Sequence, residues 1–575
     1  MKRFAVGVAL AVAGALAGPT RAALRVWTVT DTRRVLRKEP AGKLTPVKLA
    51  AARNEWESFQ ILVRSDVPAA GLGVTPGDLK GPGGAVLRAA DARLFRQHQL
   101  RITAGTYRND QFKPGWYPDA LIPFRDPVTR KPLTAGRLRA VPFDLPAGQT
   151  HGFWIDLHVP AGAKAGAYRG TYRVTSAGGG AVEVPVTLTV WDFELPRVST
   201  LRTALGSPAG RMRGYYQQRA RAGKDKPPAD WAAVDRQCAE MLTRHRINAT
   251  PAEALRPVRQ ADGSYRIPRE AIDALRRFVD RYHVNAVSVP RPTGVVKDPE
   301  AERAKLRAWL SAFDRAAAEL DRPGVLFYTY LRDEPNDEAA YQFVQKWGRA
   351  VRAAKPVVKV MVVEQTWAQK PEWGDLYGAI DIWCPLFSLF KPDSAASRQA
   401  LGETVWTYTA LCQLKKTPWW HIDYPLLHYR VPAWIAWRYR IRGLLYWGGM
   451  CFWNQVDDPW ADGWTYGRRK GGKGIVFNGE GTLAYPGRAV GYDGIAPSLR
   501  LKALRDGIED YELLAICERL GLARQAEKLV VPLAGSWYKW QPDPARYEAA
   551  RAALARLIVA AGNSPKRTLP LKERL

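Results

Sequence analysis

The chain has 575 residues, of which 46% are hydrophobic and 25% are charged, the proportions of a globular protein. This length exceeds one ordinary domain, so we expect two or three domains. The formal net charge of +31 is large, but Lys and Arg are dispersed and form no basic arm, which argues against a nucleic-acid partner. Two interpretations of the charge remain: an arginine-rich surface, or attraction to anionic glycans or envelope polymers.

The first residues have the pattern of an export signal. Lys2 and Arg3 precede an apolar run that reaches Gly18, and small residues near Ala22 suit signal-peptidase cleavage. We therefore predict a signal peptide at 1–22 and a secreted or periplasmic protein. No later apolar run has transmembrane length, so we expect no integral membrane segment. The cysteines, histidines and carboxylates show no metal-ligand or redox spacing, and we expect neither a metal nor another cofactor.

Apolar and polar residues alternate between residues 24 and 196. The segments "GFWIDLHVP" and "GAVEVPVTLTV" show this period of two, and turns rich in Gly and Pro, such as "PAGAKAGAYRG", separate the segments. A period of two is typical of strands that bury one face. This region is predicted to be an antiparallel β-sandwich.

Helical periodicity begins near residue 200. "DWAAVDRQCAEMLTRHR" and "AERAKLRAWLSAFDRAAAEL" each have one apolar face. Short apolar runs, the candidate strands, alternate with such helices and lie near Leu201, Ile247, Val284, Val325, Val358, Ile380, Thr404 and Gly443. Eight strands in this pattern predict a (β/α)8 TIM-like barrel over 200–495. We expect a C-terminal helical region at 497–562 and a disordered basic tail at 563–575.

Two adjacent carboxylates, Asp333 and Glu334, end the fourth candidate strand in "VLFYTYLRDEPNDEAA". Barrel enzymes carry their active sites at this end of the strands. Pro335 is predicted to end the strand and to hold Glu334 extended, with a helix starting near Asn336. An alternative interpretation is that these acids only begin that helix.

The adjacency of the pair restricts its chemistry. Neighbouring strand residues point in different directions, so Asp333 and Glu334 cannot easily flank a sugar carbon from both faces, as the carboxylates of ordinary glycosidases do. One carboxyl could instead protonate the leaving oxygen while the other orients a substrate group that acts as internal nucleophile.

Several motifs resemble one enzyme family. "YLRDEPND", "GLLYWGGMCFWN", "GEGTLAYPG" and "SLRLKALRDGIEDYELL" are similar to segments of the glycoside hydrolase family 123 catalytic domain and related uncharacterised exported proteins. Characterised members are exo-acting N-acetyl-β-galactosaminidases that use an Asp–Glu pair and the substrate's own acetamide. The resemblance implies that Glu334 is the general acid/base and that Asp333 binds the acetamide N–H and stabilises the oxazolinium. It implies a retaining enzyme that releases a terminal β-linked N-acetylhexosamine.

Aromatic and polar residues near other strand ends are candidates for sugar binding, because aromatic rings pack on the C–H faces of sugars. The predicted substrate-binding residues are Tyr330, Glu364, Trp367, His421, Asp423, Tyr424, Trp447, Trp453 and Asn454. Two other functions remain. One is hydrolysis of another glycan, anionic glycans included, with Glu364 or Asp423 paired against Glu334. The other is a non-catalytic carbohydrate-binding protein on the same fold.

The motif "LRDGIEDYELL" is interpreted as structural rather than catalytic. Its charged residues, Arg505, Asp506, Glu509 and Asp510, are predicted to tie the terminal helix to the barrel.

Overall fold

The computed structural model describes residues 24–413, 416–467 and 474–562. The predicted signal peptide at 1–22 and the predicted tail at 563–575 lie outside the described residues. Within the described ranges, no helix combines the length and the apolar character that a bilayer span needs.

The N-terminal region is built from two β-sheets. Its strands are β1 (Arg25–Thr30), β2 (Val47–Arg53), β3 (Glu55–Arg64), β4 (Ala69–Thr75), β5 (Leu79–Lys80), β6 (Val86–Leu87), β7 (Arg93–Ile102), β8 (Gly115–Pro123), β9 (Phe143–Leu145), β10 (Thr150–Val159), β11 (Gly166–Thr175) and β12 (Ala181–Glu194). The first sheet has the order β1-β3-β10-β7-β8, and the second has the order β2-β12-β11-β4-β9 with β5 and β6 beside it.

One hydrophobic core joins these two sheets. It takes Phe59 and Ile155 from the first sheet and Tyr172 and Val186 from the second, and the period-two pattern of the sequence places these side chains on the inner faces. The first sheet is antiparallel throughout. In the second, β2 runs parallel to β12, so the prediction of a wholly antiparallel arrangement is wrong at that pair.

A parallel sheet follows, which curves into a nearly closed barrel. The strands of this region are β13 (Arg202–Ala204), β14 (Val258–Arg259), β15 (Tyr265–Arg266), β16 (Ala286–Val289), β17 (Leu326–Asp333), β18 (Lys359–Val363), β19 (Ile382–Trp383), β20 (Thr404–Thr409) and β21 (Gly443–Tyr446). The barrel order is β13-β21-β20-β19-β18-β17-β16, and β14 and β15 form a separate hairpin. The helices between them are α1 (Pro208–Arg221), α2 (Trp231–Arg244), α3 (Arg269–Tyr282), α4 (Arg303–Leu320), α5 (Glu338–Ala353), α6 (Pro392–Ala400) and α7 (Leu427–Arg438).

The described residues form no strand near Ile247, and they supply seven barrel strands rather than eight. Asn248 occupies the gap between β13 and β16. Its backbone N–H donates to Oγ1 of Thr203 at 2.8 Å and its side-chain Nδ2 donates to Oδ1 of Asn285 at 2.7 Å. Side-chain hydrogen bonds thus take the place of a strand ladder and keep this side of the barrel joined.

The remaining elements cover the barrel and the first sheet. They are β22 (Tyr466–Gly467), β23 (Val476–Phe477), β24 (Ala484–Pro486), β25 (Ile495–Pro497), α8 (Leu499–Arg519), α9 (Ala523–Val530), β26 (Ala534–Ser536), β27 (Lys539–Trp540) and α10 (Pro544–Gly562). Every residue of α8 from Leu499 to Cys517 is buried.

Ion pairs and hydrogen bonds of buried charged residues attach α8 to its neighbours. Asp510 accepts a hydrogen bond from Nε of Arg430 in α7 at 2.6 Å. On another side of the helix, Arg505 donates to Oγ of Ser58 in β3 at 2.8 Å, and Glu509 accepts from the backbone N–H of Trp56 at 3.1 Å. The charged motif therefore contacts the first N-terminal sheet as well as the barrel.

Candidate active site

An irregularity in β17 decides which way Asp333 faces. Tyr330 lies opposite Met361 of β18, but Asp333 lies opposite Val363, so three residues of β17 span two of β18. Met361 and Val363 both belong to the core inside the barrel. Without the extra residue, strict alternation would turn Asp333 outwards and Arg332 inwards. The bulge turns Asp333 into the barrel lumen, on the same side as Tyr330.

The backbone of Glu334 breaks the alternation a second time. Its φ of +39° lies in the left-handed region, which a non-glycine residue adopts only when the surrounding structure imposes it. The prediction that Pro335 holds Glu334 extended is therefore wrong. The turn lets Glu334 line the same cavity as Asp333, although consecutive residues of a regular strand would diverge. The following acids begin α5, where Asp337 is the N-cap and accepts from the N–H of Ala340 at 2.8 Å.

Each carboxylate has its own tyrosine donor. The hydroxyl of Tyr330 donates to Oδ1 of Asp333 at 2.7 Å, and the hydroxyl of Tyr408, from β20, donates to Oε1 of Glu334. Burial, followed by the charge of the neighbouring carboxylate, raises the pKa of both phenols far above the usual range, so both remain donors. Within the described ranges, neither Asp333 nor Glu334 forms an ion pair with a basic side chain.

The two carboxylates line a cavity of about 970 Å³ at the carboxyl ends of the strands, a volume typical of small-ligand sites. One wall follows the missing second strand and includes Asn248 and the exposed carboxylate Glu253. β20 contributes Tyr408, and the segment directly after β21 contributes Trp447. A cavity with two carboxylates, tyrosine hydroxyls and aromatic faces can bind a sugar ring and transfer a proton to it.

A buried carboxylate orients the aromatic wall. Glu480 accepts a hydrogen bond from Nε1 of Trp447, and its other oxygen lies 2.7 Å from Nε2 of His421. Both His421 and Glu480 are at most 1% exposed, so they act on the cavity through Trp447.

Sequence reasoning missed Tyr408 and Glu480. Glu480 lies inside the motif "GEGTLAYPG", which carried the resemblance but was assigned no role. Tyr408 lies in β20, and only the pairing of that strand inside the barrel brings its hydroxyl to Glu334.

The structure brings Tyr330 and Trp447 into the cavity with the acidic pair. The remaining candidates lie elsewhere. Glu364 follows β18 and is buried, with Oε1 accepting from the Tyr341 hydroxyl at 3.2 Å; burial raises the pKa of Glu364 to about 8. Trp367 packs under the ammonium group of Lys391, which lies 3.5 Å from the ring centre.

Four further candidates are also outside the cavity of Asp333. Asp423 and Tyr424 line a different cavity, and Asp423 accepts from the N–H of Thr106 at 2.8 Å, which ties the β7–β8 connection to the barrel. Trp453 is fully buried and donates to the carbonyl of Ala484 at 3.0 Å. Asn454 is exposed and donates to Gln218 at 2.8 Å.

No group of His, Cys, Asp or Glu side chains within the described ranges is arranged to hold a metal ion.

Residues 298–517 match the family model described as "Glycoside hydrolase 123, catalytic domain". This stretch is therefore similar to the catalytic domain of family 123 glycoside hydrolases. The match runs from just before α4 into α8 and includes Asp333 and Glu334, and it confirms the resemblance drawn from the sequence motifs. The matched stretch covers less than half of the chain and begins partway through the barrel.

A solved structure shares the fold of this chain. A family 123 glycoside hydrolase from Clostridium perfringens, studied for glycolipid glycan hydrolysis, superimposes with a TM-score of 0.64 at 13% identity, covering 94% of this chain and 100% of that one. At this identity the likeness shows the fold alone. A Bacteroides ovatus GH5 xyloglucanase matches with a TM-score of 0.26 at 8% identity, covering 84% and 99% of the two chains, which is too weak to carry an argument. No curated protein matches this chain in sequence.

Proposed function

We propose that this protein is an exported glycoside hydrolase that releases a terminal β-linked N-acetylhexosamine, similar to N-acetylgalactosamine, by a retaining, substrate-assisted mechanism. The observation that carries the proposal is the placement of Asp333 and Glu334: two consecutive carboxylates line one cavity, each with its own tyrosine donor. The glycan of a glycolipid is a candidate substrate, since the Clostridium perfringens relative is described with glycolipid glycans. Export rests on the predicted signal peptide.

In the first step, the acetamide oxygen of the sugar attacks the anomeric carbon as the bond to the leaving oxygen breaks. Glu334 donates its proton to that oxygen. Asp333 accepts the acetamide N–H and stabilises the positive charge of the oxazolinium. Water then attacks the anomeric carbon from the side that the leaving group vacated. Glu334 takes the proton from this water, the acetamide is restored, and the β configuration is retained.

The positions of other carboxylates favour this route over direct attack by a second carboxylate. Asp423 lies in another cavity, and Glu364 is buried outside the lining. The further carboxylate in the lining is Glu253, which is exposed at the wall formed by the missing strand. A sugar bound against Asp333 and Glu334 therefore presents its own acetamide as the nearest internal nucleophile.

A panel of aryl β-glycosides with and without the 2-acetamido group tests the proposal. We expect cleavage of the N-acetyl-β-galactosaminide or N-acetyl-β-glucosaminide and none of the parent β-galactoside or β-glucoside. NMR of the first product should show the β anomer. Comparable cleavage of both groups of compounds would point to a second carboxylate, for which Glu253→Gln is the variant to examine. Binding of the sugars without turnover would identify a non-catalytic protein.

A further inference from the structure

A second cavity lies where the first N-terminal sheet meets helices α2 and α8. Its volume is about 380 Å³, within the range of roughly 300–1,000 Å³ found for small-ligand sites. It shares no lining residue with the cavity of Asp333 and Glu334. Whatever this cavity binds is therefore separate from the proposed hydrolysis.

The lining of this second cavity is strongly basic. Its cationic residues are Arg93, Arg125, Arg130, Arg244, Lys502 and Arg505. Against these, the lining within the described ranges has a single carboxylate, Asp156, which already pairs with Lys502 at 2.5 Å and Arg505 at 3.4 Å. Behind the lining, Arg244 pairs with Glu240 at 3.7 Å and Arg505 with Asp506 at 2.9 Å. The lining cations without an ion pair in the described part of the chain are Arg93, Arg125 and Arg130.

Three of the arginines bond to carbonyl groups instead of carboxylates. Arg93 donates to the carbonyl of Pro127 at 3.1 Å, and Arg125 donates to the carbonyl of Arg130 at 3.2 Å. Arg130 itself donates to Ala92 at 2.9 Å. These bonds hold the guanidinium groups in place but leave their charge uncompensated. Burial, then the charges of Arg244 and Arg130, lower the pKa of Arg93 to about 9. Keeping like charges together in this way is unfavourable unless an anion accompanies them.

Two buried polar atoms of the lining have no hydrogen-bond partner among the described residues: Nη2 of Arg244 and Nε2 of His245. Nδ1 of His245 lies 2.7 Å from the carbonyl of Met241 and must donate to it, so Nε2 is left as an acceptor. Buried polar atoms are normally paired, and unpaired ones call for an explanation. An anionic oxygen would accept from Nη2 of Arg244, and the hydroxyl of a hydrogen phosphate or of a sugar would donate to Nε2 of His245.

We propose that this cavity binds a small oxyanion with two or more oxygens available to arginine, namely a phosphate or a sulfate group, either free or as a substituent on a sugar. Arginine guanidinium groups bind such oxygens in pairs, with fixed geometry. The arginines of this site account for part of the net charge of +31 and would give that part a role in ligand binding. The proposal goes beyond the hydrolase function and does not depend on it.

Calorimetric titration of the full-length protein at constant ionic strength tests this site. The probes are inorganic phosphate, inorganic sulfate and glucose 6-sulfate, with glucose and sodium chloride as controls. We expect saturable 1:1 binding of at least one oxyanion and a matching rise in Tm, because a ligand that binds only the folded state stabilises it. Tighter binding of the inorganic ions would identify a free ion as the ligand, and tighter binding of glucose 6-sulfate a sugar substituent.

Variants decide whether the named arginines form the site. Arg93→Gln should weaken oxyanion binding at least tenfold, and Arg125→Gln, which changes an exposed side chain, should weaken it severalfold even if Arg93→Gln folds poorly. Arg101→Gln is the matched control, since Arg101 is an exposed arginine at the far end of β7; its affinity should equal that of the wild type. Aryl glycoside hydrolysis should be unchanged in all three. The proposal is overturned if no probe binds saturably, or if Arg93→Gln and Arg125→Gln bind as the wild type does.

Discussion

The hydroxyl of Tyr408 donates a hydrogen bond to Oε1 of Glu334, which joins β20 to the residue that follows β17. The bond orients one carboxylate oxygen and leaves the other available to a substrate. Because Tyr408 is only 7% exposed, the carboxylate position depends on the packing of the barrel interior. Glu334 is thereby held in a fixed position although its backbone has left the strand.

Tyr408→Phe tests the value of this bond. A hydrogen bond to a charged group contributes about 1.5–3 kcal/mol, so we expect kcat for an aryl N-acetylhexosaminide to fall by about ten- to a hundredfold. KM should change less, because the hydroxyl bonds the acid rather than the sugar. Tyr330→Phe is the companion variant, acting on Asp333. An unchanged kcat in Tyr408→Phe would show that the phenol does not position the acid.

Asp333→Asn and Glu334→Gln should each lose most activity. Removal of a general acid typically lowers the rate by about 10²–10⁴-fold. The two roles can be separated with a dinitrophenyl leaving group, which needs no proton: this substrate should restore the first step in Glu334→Gln but not in Asp333→Asn. Glu338→Gln, an exposed acid in the first turn of α5, is the matched control and should be fully active. Near-wild-type hydrolysis by either variant would show that the substituted residue does not have the catalytic role proposed for it.

Glu364 predicts a pH dependence of stability. Its pKa in the folded protein is about 8, raised by burial from an ordinary value of 4.5. Between these two pH values the unfolded chain releases the proton while the folded chain retains it, so the free energy of unfolding falls as pH rises. Each pKa unit corresponds to about 1.4 kcal/mol. Glu364→Gln cannot ionise at this position. Between pH 4.5 and pH 8 its free energy of unfolding should therefore rise by a few kcal/mol relative to that of the wild type.

Urea unfolding of both proteins at pH 4.5 and pH 8 measures this effect. The substitution also alters the hydrogen bond from Tyr341, which shifts the free energy of unfolding at every pH. The measurement that isolates the titration is therefore how much the difference in the free energy of unfolding between variant and wild type changes from pH 4.5 to pH 8. If that difference is the same at both pH values, Glu364 does not titrate as its burial implies.

Asp510→Asn should destabilise the fold without altering substrate binding. The carboxylate of Asp510 is fully buried and lies 2.6 Å from Nε of Arg430 and 2.8 Å from Nε of Arg551. Removing one partner of a buried ion pair costs about 3–5 kcal/mol, because the remaining charges stay buried. Asp493→Asn, which breaks the partly exposed pair with Arg488, should cost less than about 1 kcal/mol. Urea unfolding and KM for the cleaved glycoside distinguish the two variants. A change of KM in Asp510→Asn would show that the motif "LRDGIEDYELL" also contributes to substrate binding.

The local patterns of the sequence were sufficient for the main elements. Alternation of apolar residues predicted the N-terminal sheets, and the apolar run that precedes Asp333 predicted β17 with the acids at its carboxyl end. Helical periodicity was correct for α2 and α4. The strand predicted from the short apolar run near Ile247 is wrong, because Ile247 is buried in an irregular segment and the hydrogen bonding there is made by Asn248. Apolar spacing records burial, and a buried segment need not be a strand.

The amino-acid sequence by itself determined that two neighbouring acids end a barrel strand, because strand periodicity and the proline that follows are local properties. Only the tertiary structure decided that both acids face one cavity. The bulge that turns Asp333 inwards exists in the pairing of β17 with β18, and the left-handed turn at Glu334 is accompanied by the contact with Tyr408 from β20. Both features depend on residues that are distant in the chain, and the local periodicity of the sequence carries no information about where those residues lie.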